Sequence, residues 1–204
     1  MNSHVFRPLW RASAPLMLAT LLATPSCSKT PAEPDPPPST VTSAPAVKPL
    51  SWTVPGAWTT LDAPRSGPTK AIYRTTKAGD DKEEAQVEVH FHGTGAAGDP
   101  EKRFKEWFDQ FDGDVGKDAV RERFKAGTLE VETVEVSGTY KIALGPPVGP
   151  KKQAPMQMVK QNFRLLGAVV KTPDRGNWFF KLAGPDDTVK AARDAFRGML
   201  ESAQ

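Results

Sequence analysis

Between residues 85 and 92 the chain alternates apolar and polar positions without a break, with Val87, Val89 and Phe91 on one side and Gln86, Glu88, His90 and His92 on the other. A period of two marks a strand with one buried face. Residues 50–55 repeat the pattern through Leu50, Trp52 and Val54 and end in a proline, which predicts a short edge strand. Residues 71–74 predict a second strand. The period changes after Asp99 and Pro100, an N-cap and a first-turn proline. Phe104, Trp107, Phe108 and Phe111 then follow at i, i+3, i+4 and i+7, so four rings share one stripe of an amphipathic helix that Gly113 can stop. An aromatic stripe of this kind predicts a core helix lying over one face of a sheet.

Residues 127–144 are strand material with a change of phase. Leu129 and Val131 fall on odd positions, whereas Val134, Val136, Tyr140, Ile142 and Leu144 fall on even ones, which predicts a bulge near Glu132 and Thr133. Residues 145–155, rich in proline and glycine, predict an irregular loop. Residues 156–170 and 178–183 bracket Thr172, Pro173, Asp174, Arg175 and Gly176, a turn signal that predicts a hairpin. Val189, Ala192, Phe196 and Met199 mark a last amphipathic helix. Strands, a helix, more strands and a helix predict an α+β domain: a central antiparallel sheet with two amphipathic helices packed on it.

The first 49 residues have another character. Residues 1–11 hold two arginines and no acid, and residues 14–23 are apolar but for Pro15 and Thr20. That is the layout of a secretory signal, too short for a spanning helix of about 20 residues. Ser26 then precedes Cys27, the single cysteine of the chain. Here the sequence resembles bacterial lipoprotein precursors, whose lipobox ends in a small residue and the cysteine that becomes the acylated N-terminus. It departs from that box at Thr24 and Pro25. The resemblance implies lipidation at Cys27 and a membrane contact through the lipid. The alternative is cleavage by the ordinary signal peptidase to a soluble secreted protein, which would leave an unpaired thiol in an oxidising compartment. Ser28 resembles the outer-membrane sorting signal of some bacteria. Residues 28–49 contain seven prolines and almost no large apolar side chain. They cannot bury enough surface to offset the entropy of ordering them, and as an extended tether they would reach roughly 70 Å. The predicted division is a signal over 1–26, the cysteine and tether over 27–49, and a globular domain over 50–204.

Charge and chemistry narrow the function by exclusion. Without residues 1–26 the formal charge falls from +3 to +1, with 25 basic against 24 acidic side chains and no lysine- or arginine-rich run, so a nucleic-acid partner is not expected. Glu88, His90 and His92 share a strand face, where one ion could bridge the two imidazoles but would need further ligands from elsewhere. The expectation is ordinary exposed histidines and no metal. Gly93, Gly95 and Gly98 have dinucleotide-fingerprint spacing, but no parallel βαβ unit follows, and Asp99 puts a carboxylate where a phosphate would sit. No nucleophile elbow is present, and no carboxylate spacing identifies an acid–base pair. No cofactor and no catalytic residue are expected.

The opening run from Trp52 to Trp58 (WTVPGAW) and the closing run from Trp178 to Pro185 (WFFKLAGP), with Val189 and Phe196 in the last helix, resemble PsbP-like (Mog-like) domains. The resemblance implies a central antiparallel sheet flanked by helices and a mostly non-catalytic binding or assembly module, found in photosystem extrinsic proteins and in many bacterial lipoproteins. The expected function is therefore a membrane-anchored envelope lipoprotein that binds an envelope protein partner. A secreted or periplasmic enzyme and a soluble secreted binding protein are the competing classes.

Overall fold

A computed structural model describes residues 49–93, 98–144, 156–173 and 175–204. Cys27, the proline-rich segment and the 145–155 loop lie outside the described residues. The strands are β1 (Thr59–Leu61), β2 (Thr69–Arg74), β3 (Gln86–Phe91), β4 (Val120–Ala126), β5 (Leu129–Ala143), β6 (Gln157–Thr172) and β7 (Gly176–Pro185), and the helices are α1 (Pro100–Phe108) and α2 (Asp186–Glu201). All seven strands join one antiparallel sheet in the order β1-β2-β3-β7-β6-β5-β4. The α+β class is as the periodicities predict, and a sheet flanked by helices is what the PsbP-like resemblance implies.

The helices cover opposite faces. On β7, Trp178, Phe180 and Leu182 join the core under α2, together with Val189, Phe196, Met199 and Leu200, while Phe179 joins the core under α1 with Phe104 and Trp107. The middle strands are therefore buried on both sides and read as near-continuous apolar runs rather than alternating ones. Trp107 lies over Gly167 of β6, where an added Cβ would stand 2.3 Å from one indole carbon, 2.5 Å from another and 3.0 Å from a methyl of Val134. Gly167→Ala should accordingly cost about 1–3 kcal/mol through overpacking. A urea midpoint unchanged by the substitution would show that α1 does not sit this close.

Four sequence expectations need correction. Residues 50–55 are not an edge strand: Ser51 N donates to Gln204 O (3.0 Å) and Gln204 N to Ser51 O (3.0 Å), so the segment runs beside the end of α2. Its alternation serves the α2-side core instead, with Leu50 buried and the Trp52 ring edge-on to Phe180 and Trp178. The helix ends at Phe108 and not at Gly113, and Phe111 makes an isolated bridge to Tyr140 while staying in the core.

No bulge interrupts β5 at Glu132 and Thr133, which pair regularly with Val169 and Ala168. The phase changes because Leu129 and Val131 serve the α2-side core, and Val134, Val136 and Tyr140 the α1-side core. The irregularity is on β6: between Gly138↔Phe163 and Tyr140↔Lys160 that strand carries one extra residue, accommodated by Asn162 at φ 54°. Finally, β4 and its turn at Gly127 (φ 57°) extend the sheet beyond the predicted strands.

Candidate functional site

Over β6 and β5 the α1-side face is closed by aromatic side chains, but among the described residues no helix lies over β1, β2 and β3 on that face. The cross-strand row Leu61, Ile72, Glu88 and Lys181 runs across this open half, with His90 opposite Phe179 in the next row. The alternation of β3 puts Val87 and Val89 in the α2-side core and leaves Glu88 and His90 to line the open half. The histidines are half-buried, contrary to the exposed state expected of them, because Thr69 of β2 and Phe179 of β7 stand beside their rings: the His90 side chain is 15% exposed.

Glu88 is the electrostatic centre. One carboxylate oxygen accepts from Gln86 Nε2 (2.8 Å) and the other lies 3.2 Å from His90 Nε2. The hydrogen bond from His90 is the main reason its pKa falls from 4.5 to about 2; burial opposes the fall, and the Lys181 charge adds to it. A carboxylate only accepts, so His90 Nε2 carries a proton and donates, and Thr69 Oγ1, 3.2 Å from Nδ1, completes the ring's partners. Lys181 Nζ donates to Gln110 Oε1 (2.8 Å) and Tyr140 Oη (3.0 Å), and Tyr140 Oη donates to the same Gln110 oxygen (2.5 Å). His92 is held below its ordinary pKa, first by burial and then by the Arg103 charge.

The structure thus brings Glu88 and His90 together and stands the His92 ring 6.0 Å from that of His90. His90 has no ring nitrogen left over for an ion, and among the described residues no group of three or more ligand-type side chains gathers. Gly98 O accepts from Asn177 Nδ2 (2.8 Å) and Asp99 Oδ1 accepts from Glu101 N (3.0 Å), so a carboxylate caps α1 as expected; residues 94–97 of the glycine-spaced segment lie outside the described residues. Lys181, Gln110 and Tyr140 are the site residues that sequence reading missed. For Lys181 a signal existed: it is the single charge within Trp178, Phe179, Phe180, Leu182 and Ala183, and a charge inside a doubly buried strand requires a partner.

Because the folded pKa of Glu88 lies below its unfolded value, its contribution is complete above about pH 4.5 and is lost as pH falls toward about 2. Glu88→Gln should lower stability at neutral pH by about 1 kcal/mol, discounted for partial exposure, and the difference from the parent should shrink through that window. Chemical denaturation across the acid range checks this, and a gap independent of pH would contradict it.

Two other features complete the polar inventory. Glu132, buried on the α1-side face, receives Arg123 (3.1 Å) and Lys171 (3.3 Å), and Arg121 (3.7 Å) links it to Glu101 of α1. A cleft of about 250 Å³ opens between α2 and the β4–β5 pair, floored by Leu166, Phe196 and Leu200. The arginines at its rim are already engaged, Arg193 with Glu135 and Arg197 with Glu122 and Glu201.

No protein-family model matches this chain, and no curated protein matches it. Among solved structures it is similar to the crystal structure of LpqN, involved in cell envelope biogenesis of Mycobacterium tuberculosis, with 16% identity, 80% of this chain and 86% of that chain covered, and a TM-score of 0.47. It is also similar to the solution structure of cyanobacterial PsbP from Synechocystis sp. PCC 6803, with 11% identity, 78% and 94% covered, and a TM-score of 0.41. The fold class rests on the strand order and helix packing themselves.

Proposed function

We propose that this chain is a lipid-anchored lipoprotein of the bacterial cell envelope, sorted to the outer membrane, whose α+β domain is a non-catalytic module that binds an envelope protein partner. The anchor rests on the signal-like residues 1–26, Cys27 and the proline-rich residues after it. The binding role rests on one observation above all. The reactive groups of the open half-face are committed to one another, Glu88 to His90 and Gln86, and Lys181 to Gln110 and Tyr140. A preorganised polar surface of this kind suits recognition, since its groups need no reordering when a partner arrives.

The reading is tested by purifying the native protein from detergent extracts of its own cells. One envelope protein should be recovered with it in excess over an unrelated lipoprotein, and Arg74→Glu combined with Gln86→Arg, a cross-strand pair of exposed side chains on this face, should reduce that recovery about tenfold. Equal recovery with parent and variant would contradict the assignment of the face.

A further inference from the structure

We propose that Met156 and Met158, where β5 and β6 run past the rest of the sheet, are a reversible oxidation site at which a peroxide converts two exposed thioethers to sulfoxides. This goes beyond the binding role and does not depend on it. β5 and β6 are the longest strands, 15 and 16 residues. β7 accompanies β6 only as far as Phe163, opposite Pro185, and β4 accompanies β5 only as far as Glu135, opposite Val120. Beyond these points the two strands pair with each other through Ile142↔Met158 and Ala143↔Gln157, and Leu144 N donates to Met156 O (2.9 Å). Among the described residues no other strand flanks this end, and the bridge from Phe111 stops at Tyr140.

The missing neighbours leave both sulfurs open to solvent. Met156 is 64% exposed and Met158 42%. Separated by Gln157, they share one face of β6 with their Cα atoms about 7 Å apart, and their cross-strand neighbours on β5 are the hydrocarbon side chains of Leu144 and Ile142. The chain has five methionines: Met1, Met17, Met156, Met158 and Met199. Met1 and Met17 fall in the signal-like segment, and Met199 is 1% exposed in the core under α2. Within the domain, a dissolved oxidant therefore reaches two methionines that stand side by side and is kept from the third.

A thioether has no proton to lose, so access rather than ionisation governs its oxidation. The sulfur lone pair attacks one oxygen of hydrogen peroxide, and an S–O bond forms as the O–O bond breaks. The second oxygen leaves as water with both hydrogens; sulfur loses two electrons and the peroxide gains them. Each product is polar and chiral, so this end of the sheet exchanges an apolar surface for two hydrogen-bond acceptors. Methionine sulfoxide reductases reverse the step, with two thiols oxidised to a disulfide and the oxygen released as water. Neither Met156 nor Met158 belongs to either core, so the conversion alters the surface and leaves the packing under α1 and α2 intact. A leucine at either position would give the same apolar surface without this chemistry.

The test uses the full chain carrying Cys27→Ser, so that no thiol competes for the oxidant. The chain is treated with a graded series of hydrogen peroxide, and each methionine is followed separately by peptide-resolved mass spectrometry. In the folded chain Met156 and Met158 should be converted about tenfold faster than Met199, and in concentrated urea the three rates should converge. Retention on a hydrophobic-interaction column should fall once both are sulfoxides, at an unchanged melting temperature, and should return after treatment with methionine sulfoxide reductases of both epimer specificities and a dithiol. The chain that also carries Met156→Leu and Met158→Leu should keep its retention through the same peroxide treatment. Equal rates for the three methionines in the folded chain, unchanged retention of the oxidised parent, sulfoxides that the reductases leave in place, or the same loss of retention in the double leucine variant would overturn the proposal.

Discussion

Replacing Trp107 by alanine is expected to cost about 3–5 kcal/mol of stability, the largest effect of any single side chain on α1. The indole is 3% exposed, lies against Phe104 (5.8 Å between centroids) and meets Phe179 edge-on (6.4 Å). Beneath it is Gly167, which has no side chain to move into the space, and β6 is paired on both sides there, to Val134 and Lys181. A cavity that cannot collapse is the costly kind. α1 is also only nine residues long, too short to persist without packing. Lys105→Ala is the matched control, because its side chain is 75% exposed and engaged only with Asp109, and it should change stability by less than about 0.5 kcal/mol. Urea midpoints that moved equally for the two would contradict the placement of this helix.

The parts of the fold that could be read from sequence are those where one element's burial is set by its own period. Val87 and Val89 are fully buried as the alternation requires, and Phe104, Trp107, Val189, Phe196 and Met199 are all core residues as the helical spacing requires. The turn at residues 172–176 does join a hairpin. What was not legible depends on elements distant in sequence. β4 is largely exposed, with three basic residues and one acid among its seven, so it carries no strong apolar signal and takes its place by pairing with β5. The Leu50, Trp52 and Val54 alternation is real, but its partner is the chain's last turn rather than a strand, which a local period cannot reveal.

The candidate site divides in the same way. Glu88, His90 and His92 follow from β3 alone, but the Glu88↔Lys181 row exists only because β3 pairs with the last strand. Gln110 arrives because α1 stops early and the chain turns back onto β5, where Lys141 N donates to Gln110 O (2.7 Å). Sequence could place a polar face on that strand. It could not say that a lysine, an amide and a phenol complete it.

The proposed anchor rests on residue type and order rather than on packing. Cys27 is the chain's single cysteine, placed between a signal-like segment and a proline-rich one. Among the described residues no helix is long and apolar enough to cross a membrane. A single acyl chain gives only marginal binding, so stable anchoring would need the several chains a lipoprotein cysteine carries, and their loss should be close to all-or-none. Cys27→Ser should therefore leave the precursor uncut at this position, or cut without lipid. The decisive measurement is metabolic palmitate labelling combined with detergent-phase partition of the parent and Cys27→Ser chains. The account predicts a labelled parent in the detergent phase and an unlabelled variant displaced from it; equal labelling and equal partition of the two would contradict it.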